Sequence, residues 1–142
     1  MKICIGSDHR GYALKKFMMH ALPAFEWSDV GSHSAERTDY PLYAQYVCKK
    51  VVSGAADFGV LICGSGVGMT IAANRFKGIY AALCWNEDVA CVARQDDGTN
   101  ILVLPSDFVT KEQAVAIFKA WIGAQFKGGR YQDRLDLIDV VK

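Results

Sequence analysis

Five short aliphatic runs punctuate the chain at nearly regular intervals: KICIGS (2–7), FEWSDVG (25–31), FGVLIC (58–63), IYAALC (79–84) and NILVL (100–104). Each has the length and composition of a β-strand. The first, third, fourth and fifth are almost unbroken by polar residues, the pattern of strands covered on both faces in a parallel sheet. The segments between them carry helical spacing. In RGYALKKFMMHAL, Leu14, Phe17, Met18 and Leu22 share one stripe, and in YPLYAQYVCKKVV the stripe is Leu42, Tyr46, Val47 and Val51. Thr38 and Asp39 ahead of Pro41 mark a helix start. MTIAANRF and NEDVACVARQ predict shorter helices, and Thr110 with Gln113 three residues on predicts a capping box opening TKEQAVAIFKAWIGAQF. RYQDRLDLIDVVK (130–142) follows Gly128 and Gly129 as a polar-faced final helix. Strands alternating with helices imply right-handed crossovers and a three-layer α/β/α sandwich on about five parallel strands.

At 142 residues, with 51% hydrophobic and 22% charged positions and no low-complexity run, the chain is expected to form a single domain over 1–142. Sixteen Lys and Arg stand against 15 Asp and Glu. With a formal charge of +1 there is no bulk field to attract nucleic acid or an anionic membrane, so any anion site is local. No basic-then-apolar leader and no membrane-length apolar run is seen, and a cytoplasmic location is the default expectation. Cys4, Cys48, Cys63, Cys84 and Cys91 are scattered outside any CxxC pair, which argues against zinc or disulfide scaffolding.

The chemistry-bearing residues follow strands. SDHRG (7–11) comes after the first, CGSGVG (63–68) after the third, and QDDGTN (95–100) lies between the fourth helix and the fifth strand. In an open parallel sheet ligands bind beyond these carboxyl ends. GSGVG is GxGxG rather than GxGxxG, and the next strand ends without the acidic residue a dinucleotide ribose requires: Glu87 and Asp88 fall inside the next helix. A nicotinamide site is disfavoured. The alternating glycines do let several backbone N–H groups converge on an oxyanion or phosphate, although a tight strand-to-helix turn needs glycine as well. Cys63 at the strand tip meets the same dipoles, which are expected to lower its pKa. Asp8 is a candidate cap for the first helix and His9 a candidate loop ligand, while Arg130 and Arg134, four apart, share a helix face suited to clamping a phosphate. Together these groups fit proton abstraction next to a carbonyl, as in aldose–ketose isomerisation through an enediolate.

GSDHRGYALK, DVGSHS, DYPLYA, GVLICGSGVGMTIAANRFKGIYAALC and GGRYQDRLDLI, in this order and spacing, resemble the ribose-5-phosphate isomerase B and galactose-6-phosphate isomerase family. The resemblance implies a Rossmann-like, metal-free sugar-phosphate isomerase that needs no cofactor. It works as a homodimer or dimer of dimers whose active sites lie between subunits, with the C-terminal helix reaching the partner. By position, Cys63 matches the proton-abstracting cysteine. Gly64, Ser65, Gly66, Val67 and Gly68 match the anion hole, with Ser65 in place of a threonine that assists proton transfer. Asp8 and His9 match the substrate-contacting pair, and Arg130 and Arg134 the phosphate-binding arginines.

The sequence departs from the family pattern in one segment and at two further points. RQDDGTN stands where REHNDAN is usual, so Asp96 replaces the histidine credited with opening the sugar ring and Asp97 an asparagine that contacts substrate. Asp107 takes the place of an arginine used near phosphate by some members, and Arg10 stands where alanine is common. The added carboxylates are expected to repel a phosphate unless cations compensate them. Trp85 is a further candidate for reshaping the pocket or lining a subunit interface. The expected function is therefore isomerisation of ribose 5-phosphate or a related sugar. The alternatives are the same chemistry on a different or unphosphorylated aldose, and a non-catalytic subunit of a hetero-oligomeric isomerase.

Overall fold

The computed structural model describes residues 1–141. Five parallel strands form one sheet: β1 (Lys2–Ser7), β2 (Glu26–Asp29), β3 (Phe58–Cys63), β4 (Ala81–Leu83) and β5 (Ile101–Pro105), in the spatial order β2-β1-β3-β5-β4. The helices are α1 (Tyr12–Ala21), α2 (Tyr40–Val52), α3 (Val67–Ala73), α4 (Glu87–Asp97), α5 (Lys111–Gly123) and α6 (Arg130–Asp139). This is the expected α/β sandwich. Lys142, the end of the helix expected over 130–142, lies outside the described residues.

The sheet divides two apolar layers. On one face Ile3, Ile5, Val60, Ile62, Leu102 and Leu104 meet Leu14 and Met18 of α1 and Ile117, Phe118 and Trp121 of α5. On the other, Cys4, Leu61, Ile101 and Val103 meet α2 and α3 through Val47, Cys48 and Met69. Consecutive residues of β1, β3 and β5 thus feed opposite layers, which is why these strands read as unbroken apolar runs. Residues 26–29 of β2, at the sheet edge, are exposed or half-buried.

Several elements differ from the sequence reading. β4 is shorter than IYAALC, and side chains bond the N–H groups at its start: Asn100 Oδ1 accepts the Tyr80 N–H and Asn74 Oδ1 the Ala81 N–H, both at 2.9 Å. The buried stripe of α2 is Ala44, Val47 and Cys48, and Leu42 and Tyr46 face outward. The spacing at 44, 47, 48 and 51 fits one face as well as the one read from the larger side chains. α4 runs on to Asp97 before Gly98 ends it in the left-handed region, so Asp96 and Asp97 belong to a helical turn. The capping box of Thr110 and Gln113 is present, with hydrogen bonds of 3.1 and 2.7 Å.

Lys15, on the buried face of α1, is an unforeseen core residue. Its Nζ donates to Asp29 Oδ1 at 2.7 Å and to the Ser32 carbonyl, and burial pushes its pKa down against the pull of Asp29. The same Asp29 oxygen accepts the Gly31 N–H at 2.9 Å. Ser7 and the 31–32 segment exchange two backbone bonds of 2.7 Å, so the loop after β2 is tied to the tip of β1. Burying a lysine demands this kind of pairing.

Trp121 is fully buried and its Nε1 donates to the hydroxyl of the equally enclosed Thr99 at 2.8 Å. Trp121→Ala removes the largest buried side chain and leaves that hydroxyl without its donor. A loss of about 3–5 kcal/mol is expected, measurable as a lower urea midpoint at unchanged slope.

Candidate active site

The strand order reverses between β1 and β3: from β1 the chain builds outward to β2 on one side and to β3, β5 and β4 on the other. Beyond the carboxyl ends of strands at such a switch point lies the crevice where open α/β sheets bind ligands. Here the tips are Asp8 and Cys63, and the turn after β5 closes over both. The Asp8 N–H donates to the Ile62 carbonyl at 3.3 Å, Ser106 N–H to Cys63 O at 2.9 Å and Asp107 N–H to Gly64 O at 3.0 Å. A cleft of about 390 Å³ results, walled by Asp8, Arg10, Tyr40, Cys63, Gly64, Ser65, Gly68, Asp107 and Phe108.

Asp8 is nearly buried, and its Oδ1 accepts the N–H groups of Arg10 (2.9 Å) and Gly11 (3.1 Å), closing the turn into α1. Asp8 is not the N-cap expected from the sequence: Gly11, three residues on, opens the helix, and Asp8 braces the turn that leads to it. His9 is held away from the cleft wall, its Nδ1 3.3 Å from both the N and O of Thr38.

Cys63 is 5% exposed. The Gly66 N–H donates to its Sγ at 3.2 Å, and backbone amides of Met69, Gly66 and Ser65 all pull its pKa down. Burial outweighs them, with a smaller push from Asp8, and the thiol stands above the ordinary cysteine value. The expected lowering is thus reversed: the dipoles are present, but the sulfur has lost more solvation than they return. The Val67 N–H is taken by Ser65 Oγ at 3.2 Å, and Val67 itself is half exposed. Gly66 adopts φ +76°, where a Cβ would run into the Leu83 side chain, so glycine is required to aim its amide at the sulfur.

A second cluster forms around Tyr131. Lys127 Nζ and the guanidinium carbons of Arg130 and Arg134 lie 5.0, 5.1 and 5.2 Å from its ring centre. Arg130 donates to the Tyr131 hydroxyl at 3.1 Å, which lowers the phenol pKa, and Lys127 Nζ donates to Asp96 Oδ1 at 2.6 Å, which raises that of the lysine. Sequence reading missed Lys127, which precedes α6 and is brought to the cluster by the loop, its N–H donating to the Gln95 carbonyl at 2.9 Å.

The structure therefore separates the candidate residues. Asp8, Cys63, Gly64, Ser65 and Gly68 line the cleft; Asp96, Arg130 and Arg134 stand at the Tyr131 cluster and are absent from its wall, as is Trp85. Asp97 instead lines a larger groove of about 860 Å³ beside α6, with Phe76, Ile79 and Ile138. That groove holds no cysteine or histidine, so volume alone does not mark the chemistry there. Two of the three added carboxylates are compensated: Asp107 pairs with Arg10 and Asp96 with Lys127, while Asp97 makes no ion pair among the described residues. Among the described residues there is no cluster of metal-ligating side chains and no helix long and apolar enough to cross a membrane.

Residues 3–138 match the profile of the ribose/galactose isomerase family. Ribose-5-phosphate isomerase B of Escherichia coli K12 is 45% identical over 143 residues, covering 99% of this chain and 96% of the relative. A crystal structure of a ribose 5-phosphate isomerase from Thermotoga maritima superposes with a TM-score of 0.97 at 44% identity, covering 99% of this chain and 98% of that one. The Mycoplasma genitalium ribose-5-phosphate isomerase B with bound ribulose 5-phosphate gives 0.92 at 42% identity, with 97% and 93% covered. With matching extending through both the Cys63 loop and the arginine-bearing helix, the chain belongs to the ribose/galactose isomerase family.

Proposed function

We propose that the protein interconverts an aldose phosphate and its ketose, ribose 5-phosphate and ribulose 5-phosphate being the pair to test first, with Cys63 as the proton carrier. The observation that carries this reading is the Cys63 sulfur, set at the β1/β3 switch point beside the nearly buried Asp8 and receiving the Gly66 N–H. The thiolate takes the proton from C2 of the open-chain aldose and returns it to C1 of the enediolate. Ser65 moves the proton between the two oxygens, and the backbone N–H groups of residues 64–68 balance the charge of the intermediate. Asp8, on the cleft wall, holds the substrate at its reacting end.

The sites form between two copies of the chain. Arg130 and Arg134, with Lys127, bind the phosphate in the cleft of the second copy, and Asp96 beside them opens the sugar ring. The separation of the Cys63 cleft from the Tyr131 cluster within one chain supports this division. Exposed Val67 and Ile71 on α3, Trp85 and Phe108 supply apolar surface for the contact.

Replacing Cys63 with serine is expected to lower kcat/KM on ribose 5-phosphate about 10²–10⁴-fold while the melting temperature stays near that of the parent; unchanged turnover would exclude the sulfur as base. Because burial raises the thiol pKa, the thiolate fraction at neutral pH lies below that of free cysteine, and the Cys63 alkylation rate by iodoacetamide should still climb as pH rises past about 8.5. A plateau below that pH would show the amides prevailing. Cys63→Ala and the Arg130→Ala/Arg134→Ala variant, each inactive alone, should recover about a quarter of parent activity when refolded together in equal amounts, since half the dimers then hold one intact site. No recovery would place the whole site within one chain.

A further inference from the structure

Three charged side chains line the Cys63 cleft, Asp8, Arg10 and Asp107, and Arg10 is the one cation among the described residues of its wall. Two carboxylates and a sulfur that must carry charge to act would make the cleft strongly negative without it. Arg10 is held in place. Its Nη2 pairs with Asp107 Oδ2, and Ser106 Oγ sits 3.1 Å from the carbonyls of both Arg10 and Cys63. The pair rests on the loop residue next to the sulfur: a Cβ on Gly64 would lie 2.8 Å from Arg10 Nε and from Asp107 Oδ2.

An arginine bound to a carboxylate along one edge keeps further N–H donors, and the carboxylate keeps a second acceptor oxygen. This wall thus offers donors and an acceptor side by side with no net charge. Two neighbouring sugar hydroxyls, each both donor and acceptor, match that pattern, whereas a phosphate dianion brings acceptors only. We propose that Arg10, positioned by Asp107, is a specificity-determining residue of the Cys63 cleft: the pair receives the hydroxyl-bearing end of a polyhydroxy aldose or ketose and leaves the anionic end to the cations around Tyr131. This rests on the isomerase reading above.

The test compares alkylation of Cys63 by anionic iodoacetate and neutral iodoacetamide, followed peptide by peptide, because the ratio of the two rates reports charge at the sulfur without requiring turnover. Arg10→Ala is expected to lower the iodoacetate-to-iodoacetamide ratio about fivefold and Asp107→Asn to raise it about as much. The double variant and Arg10→Lys return it to within about twofold of the parent. With ribose 5-phosphate, Arg10→Ala raises KM more than it lowers kcat. Equal ratios in all variants, or shifts of one sign in both single variants, would overturn the proposal, because a pair that only braces the loop affects both reagents alike. Ratios that move as expected in a protein that turns over no sugar would instead sink the isomerase reading, and the sugar specificity with it, leaving only the effect of the pair on the charge at the sulfur.

Discussion

Burial and backbone dipoles act on the Cys63 sulfur in opposite directions, and the site depends on that opposition. The sheet forces the burial, since Cys63 ends a strand whose preceding residues are fully enclosed between two helical layers. The Gly66 amide supplies the counterweight, and it faces the sulfur only because Gly66 takes a backbone conformation that a side chain would block. Burial prevails, so the resting group is a thiol. For abstraction from carbon this has a use: a thiolate of low pKa is abundant but a weak base, whereas one formed from a thiol of raised pKa takes the proton with a stronger driving force. In the proposed isomerisation the amides serve whichever partner carries the charge, sulfur before the transfer and enediolate after it.

Much of this was legible in the sequence, and the misses share a cause. Near-continuous aliphatic runs placed β1, β3 and β5 because strands covered on both faces leave no room for polar residues. The run at 79–84 also placed β4, but that strand lies at the sheet edge and is only half-buried, contrary to the covered strand expected there. The capping box at Thr110 was local enough to read directly. The stripe on α2 was misread because two faces of that segment carry apolar residues of similar spacing, and only the sheet behind it decides that Ala44 and Cys48 turn inward while Leu42 and Tyr46 do not. The start of β4 is bonded by Asn74 and Asn100, residues from other elements, and was therefore invisible in IYAALC itself.

The site was legible as a set of residues and much less so as geometry. The position of Cys63 after the third strand located the cleft, but the sign of its pKa shift required knowing how far desolvation goes, a property of the packed layers rather than of the motif. Charge compensation was equally non-local. Arg10 and Asp107 are 97 residues apart and Asp96 and Lys127 31 apart, yet each pair meets. Read singly, Asp96 and Asp107 are losses of function at an anion site; read as pairs, they leave the local charge close to balanced.

That balance bears on how the site divides its work. A single cavity holding a carboxylate, a sulfur that must ionise and a phosphate clamp would set the clamp's cations against the same groups, drawing the arginines onto Asp8 or the thiolate rather than onto substrate. Within one chain this does not arise, because the three cations are gathered on the Tyr131 ring, away from the Cys63 wall, and Lys127 rather than either arginine satisfies Asp96. Arg130 and Arg134 keep their guanidinium groups out of ion pairs among the described residues, their positive charge facing solvent. Cations held on an aromatic ring rather than in ion pairs have no carboxylate that a bound anion would have to displace, which is a physical condition for binding one tightly.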